Sequence, residues 1–399
     1  MSVIRICMVV FSYYPRDARV RREAEALSEA GMYLDVICLR GDGESRNEEV
    51  NGVNIYRINI KRKRTSKLRY IWQWSYFIAA VFVKLCWLHL IKRYHIVHVH
   101  NMPDVLVASV LVPKLTGAKI ILDLHDPMPE VYMTKYSMTA SHLVIRVLRF
   151  LEKISIKFSD LVITPNISFR DLFISRSCPS RKIHIVMNSP KESIFNKNGF
   201  NHSKDKAVKR KGFTIMYHGY IVEHNGLDTA IDAIARVRKE IPNLLFRVYG
   251  DGRYLKQIQN QVNEMNLRDT VEFHGDVPIQ SIAAAIASID LGIVPNNMTP
   301  FTNLNFPTRI FECLIMNKPV IVPRTQGICD YFDDSSMFFF EAGDDRDLAR
   351  QIIKVYSDRT IRKDIIDRGV NIWKQYRWNV QKKYLVKIVN QVLEKKSIK

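Results

Sequence analysis

No glycine-rich G-x-G-x-x-G turn follows the first apolar run of this chain; PRDARVRREAEAL (15 to 27) stands in its place. A classical dinucleotide cofactor is therefore disfavoured, because its pyrophosphate needs the close backbone approach that those glycines permit. The six cysteines (Cys7, Cys38, Cys86, Cys178, Cys313 and Cys329) show no metal-type pairing and lie mostly in apolar strand or helix contexts. That pattern fits buried thiols in a reducing compartment. No convincing carboxylate cluster is visible, so no catalytic metal is expected. Nor does a charged segment, an apolar run and a cleavage site precede the first strand, VIRICMVVF, so no signal peptide is expected and the expected location is cytosolic. Acidic residues are few relative to basic ones, forty against sixty, and the formal charge of +20 points to anionic partners. Nucleotide phosphates, nucleic acid or an acidic membrane face all qualify, and charge alone does not choose among them.

What is present suits two domains, since 399 residues exceed one ordinary core. In the first half, IRICMVVF leads into an amphipathic helix with Val20, Ala24, Leu27 and Ala30 at helical spacing, ended by Gly31. YLDVICL, VNIYRIN, HIVHVH, KIILDLH and LVITPN continue the strand series, which reads as an α/β domain with a mainly parallel sheet. The second half repeats the grammar from FTIMYHG through LLFRVYGDG, TVEFHGDV, DLGIVP and PVIVP to MFFFEA. The polar, basic stretch 191–212 reads as the linker, which sets domains at 1–190 and 213–375 and a last helix at 376–399, within a helical pattern running from about Trp373 to Leu393.

KRKRTSKLR (61 to 69) carries six basic residues in nine and runs into YIWQWSYFIAAVFVKLCWLHL. The second stretch is long enough to cross a bilayer, but Gln73, Lys84 and His89 interrupt it and a core crossover helix explains the same pattern. Lys and Arg beside Trp and Tyr suit a helix lying at the headgroup level of an anionic leaflet. The candidate membrane-surface residues are Lys61, Arg62, Lys63, Arg64, Lys67, Arg69, Trp72 and Trp74, with packing or a solvated basic face as the plain alternative.

In open parallel sheets ligands bind beyond the carboxyl ends of the strands. His125 ends an apolar strand in DLHDPMPE, where an imidazole donor could reach sugar hydroxyls or a leaving phosphate, and His98 and His100 are equivalent candidates in HVHNMPD. Asp17 sits where a helix begins and could simply cap it. In NFPTRIFECLIMNKPVI (305 to 321), Glu312 lies among Ile310, Phe311, Leu314 and Ile315 and is either a surface charge or a binding group.

Taken in order, YPRDARVRREAEALSEAG, HVHNMPD, DLHDPMPE, VMNSP, HGYIVEHNGLDTAIDA, VYGDG, VEFHGDV, DLGIVP, FPTRIFECLIMNKPVIVP and YFDDSSMFFFEAGDDRDLA resemble the retaining glycosyltransferases of family 4 over nearly the whole chain. The resemblance implies an α/β GT-B fold of two facing Rossmann-like domains with a C-terminal helix crossing back. It implies sugar transfer from a nucleotide diphosphate sugar with retained anomeric configuration, the leaving phosphate accepting the proton of the attacking hydroxyl. The acceptor would be a glycan or polyprenol-linked envelope polysaccharide such as lipopolysaccharide or capsule, and the basic, aromatic stretch would hold the protein peripherally on the inner face of the plasma membrane. No metal and no nucleic-acid partner are implied. His125 matches the family histidine that contacts the donor sugar, and Glu312 matches the second of two family glutamates, which binds the ribose hydroxyls.

The implied donor-binding set is Gly219, Tyr220, Asn225, Gly250, Gly275, Val277, Asn305, Thr308, Arg309 and Glu312, and the acceptor-side set is Asp17, Arg19, His100, Asn101 and Asp126. Two departures stand out. The first glutamate, eight positions earlier, is Leu304, so that its sugar contact would fall to Asn303 or Asn305. The family's basic pair is replaced by Tyr220 and Asn225. The diphosphate then needs another partner, for which Arg309 comes first and Arg324 second, aided by free amides at the helix start. The plain role for Arg309 is an i,i+3 ion pair with Glu312. Competing functions on the same fold are a nucleotide-sugar epimerase, which would need acid/base carboxylates, and a weakly catalytic binding subunit; nucleic-acid binding rests on charge alone.

Overall fold

The structure, a computed structural model, describes residues 3–61, 67–196 and 212–394. It divides into two compact units, Met1–Asn188 with Asn379–Lys399, and Ser189–Trp378.

The first unit alternates strands and helices: β1 (Arg5–Tyr13), α1 (Ala18–Glu29), β2 (Tyr33–Leu39), β3 (Asn47–Val50), β4 (Val53–Ile58), α2 (Lys67–Lys92), β5 (Ile96–His100), α3 (Leu111–Leu115), β6 (Lys119–Asp123), α4 (Met128–Tyr136), α5 (Leu143–Phe158), β7 (Leu161–Thr164), α6 (Ile167–Arg176) and β8 (Ile183–Ile185). The sheet order is β3-β4-β2-β1-β5-β6-β7-β8. Its central strands are buried on both faces, as covered parallel strands must be, so they read as unbroken apolar runs. The β3–β4 hairpin is antiparallel and was not expected; its Asn51-Gly52 turn, with both residues at positive φ, is the local signal for it.

The long apolar helix α2 is a crossover from β4 to β5. Phe77, Val81, Leu85 and Leu88 recur at helical spacing and are buried, with Phe77 edge-on to Phe11 of β1. Of its polar interruptions, Gln73 and His89 are buried, with His89 Nε2 2.7 Å from Thr116 Oγ1, and Lys84 stands 4.9 Å from the Trp87 ring; at the helix end Lys92 Nζ donates to Asp35 Oδ2 at 2.7 Å.

In the second unit, six strands lie parallel in the order β11-β10-β9-β12-β13-β14. They are β9 (Thr214–His218), β10 (Leu245–Tyr249), β11 (Val271–Gly275), β12 (Leu291–Ile293), β13 (Val320–Pro323) and β14 (Phe338–Phe340). Between and after them run α7 (Leu227–Val237), α8 (Leu255–Glu264), α9 (Ile279–Ala287), α10 (Arg309–Ile315), α11 (Gln326–Cys329), α12 (Asp345–Ser357) and α13 (Arg359–Tyr376). Leu227, Ala230, Ile231 and Ile234 of α7 pack on Ile215, Phe246 and Ile321, which is the 3.6-residue stripe meeting the sheet face.

Two elements differ from expectation. The pattern from Trp373 to Leu393 is two helices, α13 and α14 (Trp378–Glu394), separated by extended Arg377. Residues of α14 bond within the first unit, Gln381 Oε1 accepting from Met187 N at 2.9 Å and Tyr384 OH lying 2.8 Å from His184 Nδ1. In the linker segment, Phe195 is buried against the second unit's Met216 cluster, while 197–211 lie outside the described residues.

Candidate functional site

Each sheet reverses its strand order at one strand, β1 in the first and β9 in the second, and the crevice at such a reversal is where α/β sheets bind ligands. Both clusters of polar side chains described below sit at those carboxyl ends.

In the second unit, β9 ends at His218 and the chain turns through Gly219. Gly219 has φ +138 and Gly250, at the end of β10, has φ +132; a Cβ on Gly250 would lie 2.0 Å from the Gly219 carbonyl oxygen. Only glycine allows these two turns to pass so closely. Arg309 of α10 lies against this corner. Its Nη1 donates to the His218 carbonyl at 2.9 Å and its Nη2 to Asn296 Oδ1 at 3.2 Å, and the guanidinium stands 5.0 Å from the Tyr217 ring centre. One turn on, Glu312 is nearly buried, and His218 Nε2 donates to its Oε2 at 2.6 Å. Its Oε1 has no hydrogen-bond partner among the described residues. The result is a fixed carboxylate and a fixed cation within one turn of helix, beside glycine backbone.

The expected ion pair between Arg309 and Glu312 does not form, since each has a better-placed partner on β9. At the start of α10 part of the backbone donor set is already used. Helix α10 is seven residues long, and the amides of Ile310 and Glu312 already bond the carbonyls of Pro307 and Thr308. So short a helix sums few peptide dipoles. Arg324 pairs with the exposed Asp334 at 2.5 Å and Glu341 at 3.4 Å, and would have to exchange these partners to meet a phosphate. Asn303 Oδ1 accepts from Gln326 N at 3.1 Å, which leaves Asn305 as the less committed of the two asparagines. Asn225 holds the turn by donating to the Tyr220 carbonyl at 2.6 Å, and the Tyr220 side chain is exposed. Gly275 ends β11 at φ +70, Val277 packs partly buried against the Met216 cluster, and Thr308 is the N-cap residue of α10.

In the first unit, β5 and β6 pair with His100 opposite Asp123, and alternation puts His98, His100, Asp123 and His125 on one face of the sheet. Asp123 Oδ2 lies 3.2 Å from His100 Nδ1 and 3.0 Å from His125 Nε2, and the two rings approach to 3.1 Å. Asn101 ties this end together: its Oδ1 accepts from His125 N at 2.8 Å, while its Nδ2 donates to Asp104 Oδ1 and to the Asp126 carbonyl. Asp17 caps α1 by accepting from Val20 N at 3.3 Å. Burial alone would raise the Asp17 carboxyl, but the His125 ring, Ser12 and the Val20 amide outweigh it and the group is held low. Burial raises Asp126, with Arg19 opposing.

Besides Asp123, the face holds one more residue that sequence reading passed over. Glu23 of α1 is buried, with Oε2 3.9 Å from His98 Nε2, and lies three residues beyond Val20 on the inward stripe, where a carboxylate is conspicuous. Burial, and then Asp123 beside it, push Glu23 well up. Asp123 is held well below the carboxylate range because His125 and His100 outweigh its burial. The two carboxyls are thus pushed apart, Glu23 toward its neutral form and Asp123 toward its charged one. Burial pushes His98 and His100 down, so both rings are neutral at pH 7. Glu23, His98, His100 and Asp123 each offer a ligand atom within 4.8 Å of the others, the one group among the described residues with donors of a type that could hold a divalent ion. In the second unit, His218 was likewise not anticipated.

Of the membrane-surface candidates, Arg62, Lys63, Arg64 and the side chain of Lys67 lie outside the described residues. Lys61 is paired with Asp42 at 2.6 Å. Arg69 and Trp72 are exposed, with Trp72 stacked on Tyr76. Trp74 is corrected: it packs inward on the Met128, Ile145 and Leu148 cluster. Two residues along a helix turn about 200°, so Trp72 and Trp74 cannot share a face.

Comparison with known proteins agrees with this geometry. The "Glycosyl transferase 4-like domain" family matches residues 17–189 and "Glycosyl transferases group 1" matches residues 200–371. An uncharacterized glycosyltransferase of Methanocaldococcus jannaschii is 23% identical over 292 residues, covering 71% of each chain. A lipopolysaccharide core biosynthesis glycosyltransferase of Rhizobium meliloti is 27% identical over 169 residues, 41% of this chain and 45% of the relative. Among solved structures, Anabaena HepE in complex with UDP superposes with a TM-score of 0.72 at 14% identity, covering 97% of this chain and 100% of that one. The two mainly parallel sheets, their ordered motifs and both family matches make this chain a GT-B member of the group 1, family 4-like glycosyltransferases.

Proposed function

We propose that the chain is a retaining transferase of hexosyl or N-acetylhexosaminyl type that moves a sugar from a nucleoside diphosphate sugar to a lipid-linked or cell-envelope polysaccharide acceptor. It would act at the cytoplasmic face of the plasma membrane. The observation that carries the donor half is the His218–Glu312 pair beside Arg309 at the Gly219/Gly250 corner. One oxygen of Glu312 is held by His218, and the other accepts a ribose hydroxyl in a charge-assisted hydrogen bond. Arg309, braced by the His218 carbonyl and Asn296, supplies the positive charge that a diphosphate in a poorly hydrated site requires. With Tyr220 and Asn225 in place of the family's cations, Arg309 carries a larger share of that task. No metal is invoked in the donor site.

The glycosidic bond to the β-phosphate breaks while the acceptor oxygen bonds the anomeric carbon from the same face, and the acceptor proton passes to the departing phosphate oxygen. His125, oriented by Asp123 at its Nε2 and by Asn101 at its backbone amide, has its Nδ1 left to accept from a sugar hydroxyl in this reading. The UDP seen with Anabaena HepE and the name of the Rhizobium meliloti relative support the donor and acceptor classes. The test is turnover of UDP-, GDP- and ADP-sugars with a polyprenol-linked glycan, with the product's anomeric configuration read by NMR; an inverted product overturns the retaining reading.

A further inference from the structure

Helix α2 is apolar on both sides. Its inward stripe is in the core, yet Trp72 is 63% exposed, Val83 68% and Leu90 73%, and Tyr76 and Trp87 are exposed with them. A soluble crossover helix has no need of that second stripe. The same excess appears on two neighbours. Leu111 and Leu115 are exposed on α3, and Leu143, Val147, Phe150 and Ile154 are exposed on α5. Most of the large apolar side chains exposed among the described residues lie on these three helices, where scattered singles would be ordinary.

The three helices adjoin. Trp74 of α2 packs with Ile145 and Leu148 of α5, His89 of α2 bonds Thr116 just past α3, and Lys114 of α3 stands 4.9 Å from the Phe158 ring of α5. Right-handed crossovers explain this: β4 to β5, β5 to β6 and β6 to β7 all step the same way along the sheet, so their helices share one face. Helix α1, with the Glu23 and His98 cluster beneath it, steps the other way and lies on the opposite face.

The charge on this face has one sign. Helices α2 and α3 hold no acidic residue, and the single one on α5, Glu152, is buried and paired with Arg176. Arg146, Lys153 and Lys157 of α5 are exposed, and Lys84 lies 4.9 Å from the Trp87 ring. A second copy of this chain, also at +20, would bring like charges together. An anionic bilayer instead offers a low-dielectric layer for the apolar side chains, a headgroup zone suited to Trp and Tyr, and opposite charge for Lys and Arg.

We propose that α2, α3 and α5 together form a monotopic docking face for an anionic lipid bilayer, with α5 inserting its Leu143, Val147, Phe150 and Ile154 edge alongside α2. This deepens the membrane reading given above, which rested on residues 61 to 74, by placing half of the contact on a separate helix.

The experiment is co-flotation of the full-length protein with phosphatidylcholine vesicles, with and without phosphatidylglycerol, and with UDP affinity measured in parallel as a check on the fold of the second unit. The wild type should bind phosphatidylglycerol vesicles at least 10-fold better than neutral ones, and less in high salt. The double variant Phe150→Glu/Ile154→Glu should lose at least 10-fold in vesicle binding with UDP affinity unchanged. The milder Phe150→Ser, which adds no charge, should lose about 3-fold. If Trp72→Ser weakens binding and the α5 variants do not, the docking face is overturned while the membrane reading stands. If the wild type binds neither vesicle, both fall. A wild-type dimer split by the α5 variants, without vesicle binding, would assign the face to a second copy instead.

Discussion

Glu312 Oε2 lies 2.6 Å from His218 Nε2, a contact between residues 94 positions apart that fixes the carboxylate on the end of β9. If the free oxygen binds a ribose hydroxyl, Glu312→Gln should weaken binding of UDP, GDP or ADP, whichever binds, by about 10- to 100-fold. His218→Ala, which only releases the carboxylate, should cost about 3- to 10-fold. Calorimetric titration decides this, and an unchanged affinity in Glu312→Ala would remove Glu312 from the donor site.

Arg309 should separate phosphate from nucleoside. Arg309→Ala is expected to lower affinity for the nucleoside diphosphate about 10-fold or more while the free nucleoside changes little. Lysine should restore only part, because it has no planar fork to bridge the His218 carbonyl and Asn296 Oδ1. Equal losses for both ligands would assign Arg309 a bracing role alone.

The glycine corner makes a stability prediction. Gly250→Ala places a Cβ 2.0 Å from backbone oxygen at a positive φ and should cost on the order of 3 kcal/mol in thermal or urea unfolding. Gly275→Ala, at φ +70 with nothing within 4 Å of the added carbon, should cost only about 1 kcal/mol. Similar costs at the two positions would mean that the close approach of Gly219 and Gly250 is relaxed in solution.

His125 and Asp123 should act on turnover more than on nucleotide binding. His125→Ala is expected to lower kcat about 100-fold with UDP affinity intact, consistent with loss of one preorganised hydrogen-bond partner of the sugar. Asp123→Asn should lower kcat less and alter its pH profile, because it removes the charge that orients His100 and His125. A parallel fall in UDP affinity would count against a role confined to the sugar.

Asp104 sets a pH dependence. Burial, partly offset by the Asn101 hydrogen bond, raises its carboxyl from 3.8 to about 6, so the folded state holds this proton more tightly than the unfolded chain. Its stabilising contribution is complete below the unfolded value and is lost as pH rises through about 6. Asp104→Asn should flatten that stretch of the stability curve, gaining on the order of 2 kcal/mol over the wild type at pH 7 relative to pH 4. An unchanged slope between pH 4 and 6.5 would show that Asp104 titrates normally.

Much of the architecture was legible because it depends on short-range period. The strands at IRICMVVF and FTIMYHG and the stripe of α7 follow from alternation at two and recurrence at 3.6 residues. Asp17 was readable as a cap, since capping is also local, and Glu23 could have been found as a carboxylate at an inward position of α1. The β3–β4 hairpin carried its signal in Asn51-Gly52. Trp72 and Trp74 were harder: both looked interfacial by type, and only their opposite directions on α2 separated them.

By itself the sequence determined the order of strands and helices, the placing of His125 and Glu312 at strand-end segments, and the excess of positive charge. Those properties belong to neighbours along the chain or to composition. Only the tertiary structure decided that Glu312 pairs with His218 and not Arg309, that Arg324 meets Asp334 and Glu341, that Glu23 is buried beside His98, and that α2, α3 and α5 present one apolar face. Each of these is a choice among partners far apart in sequence, made by strand order and packing, and no local spacing records it.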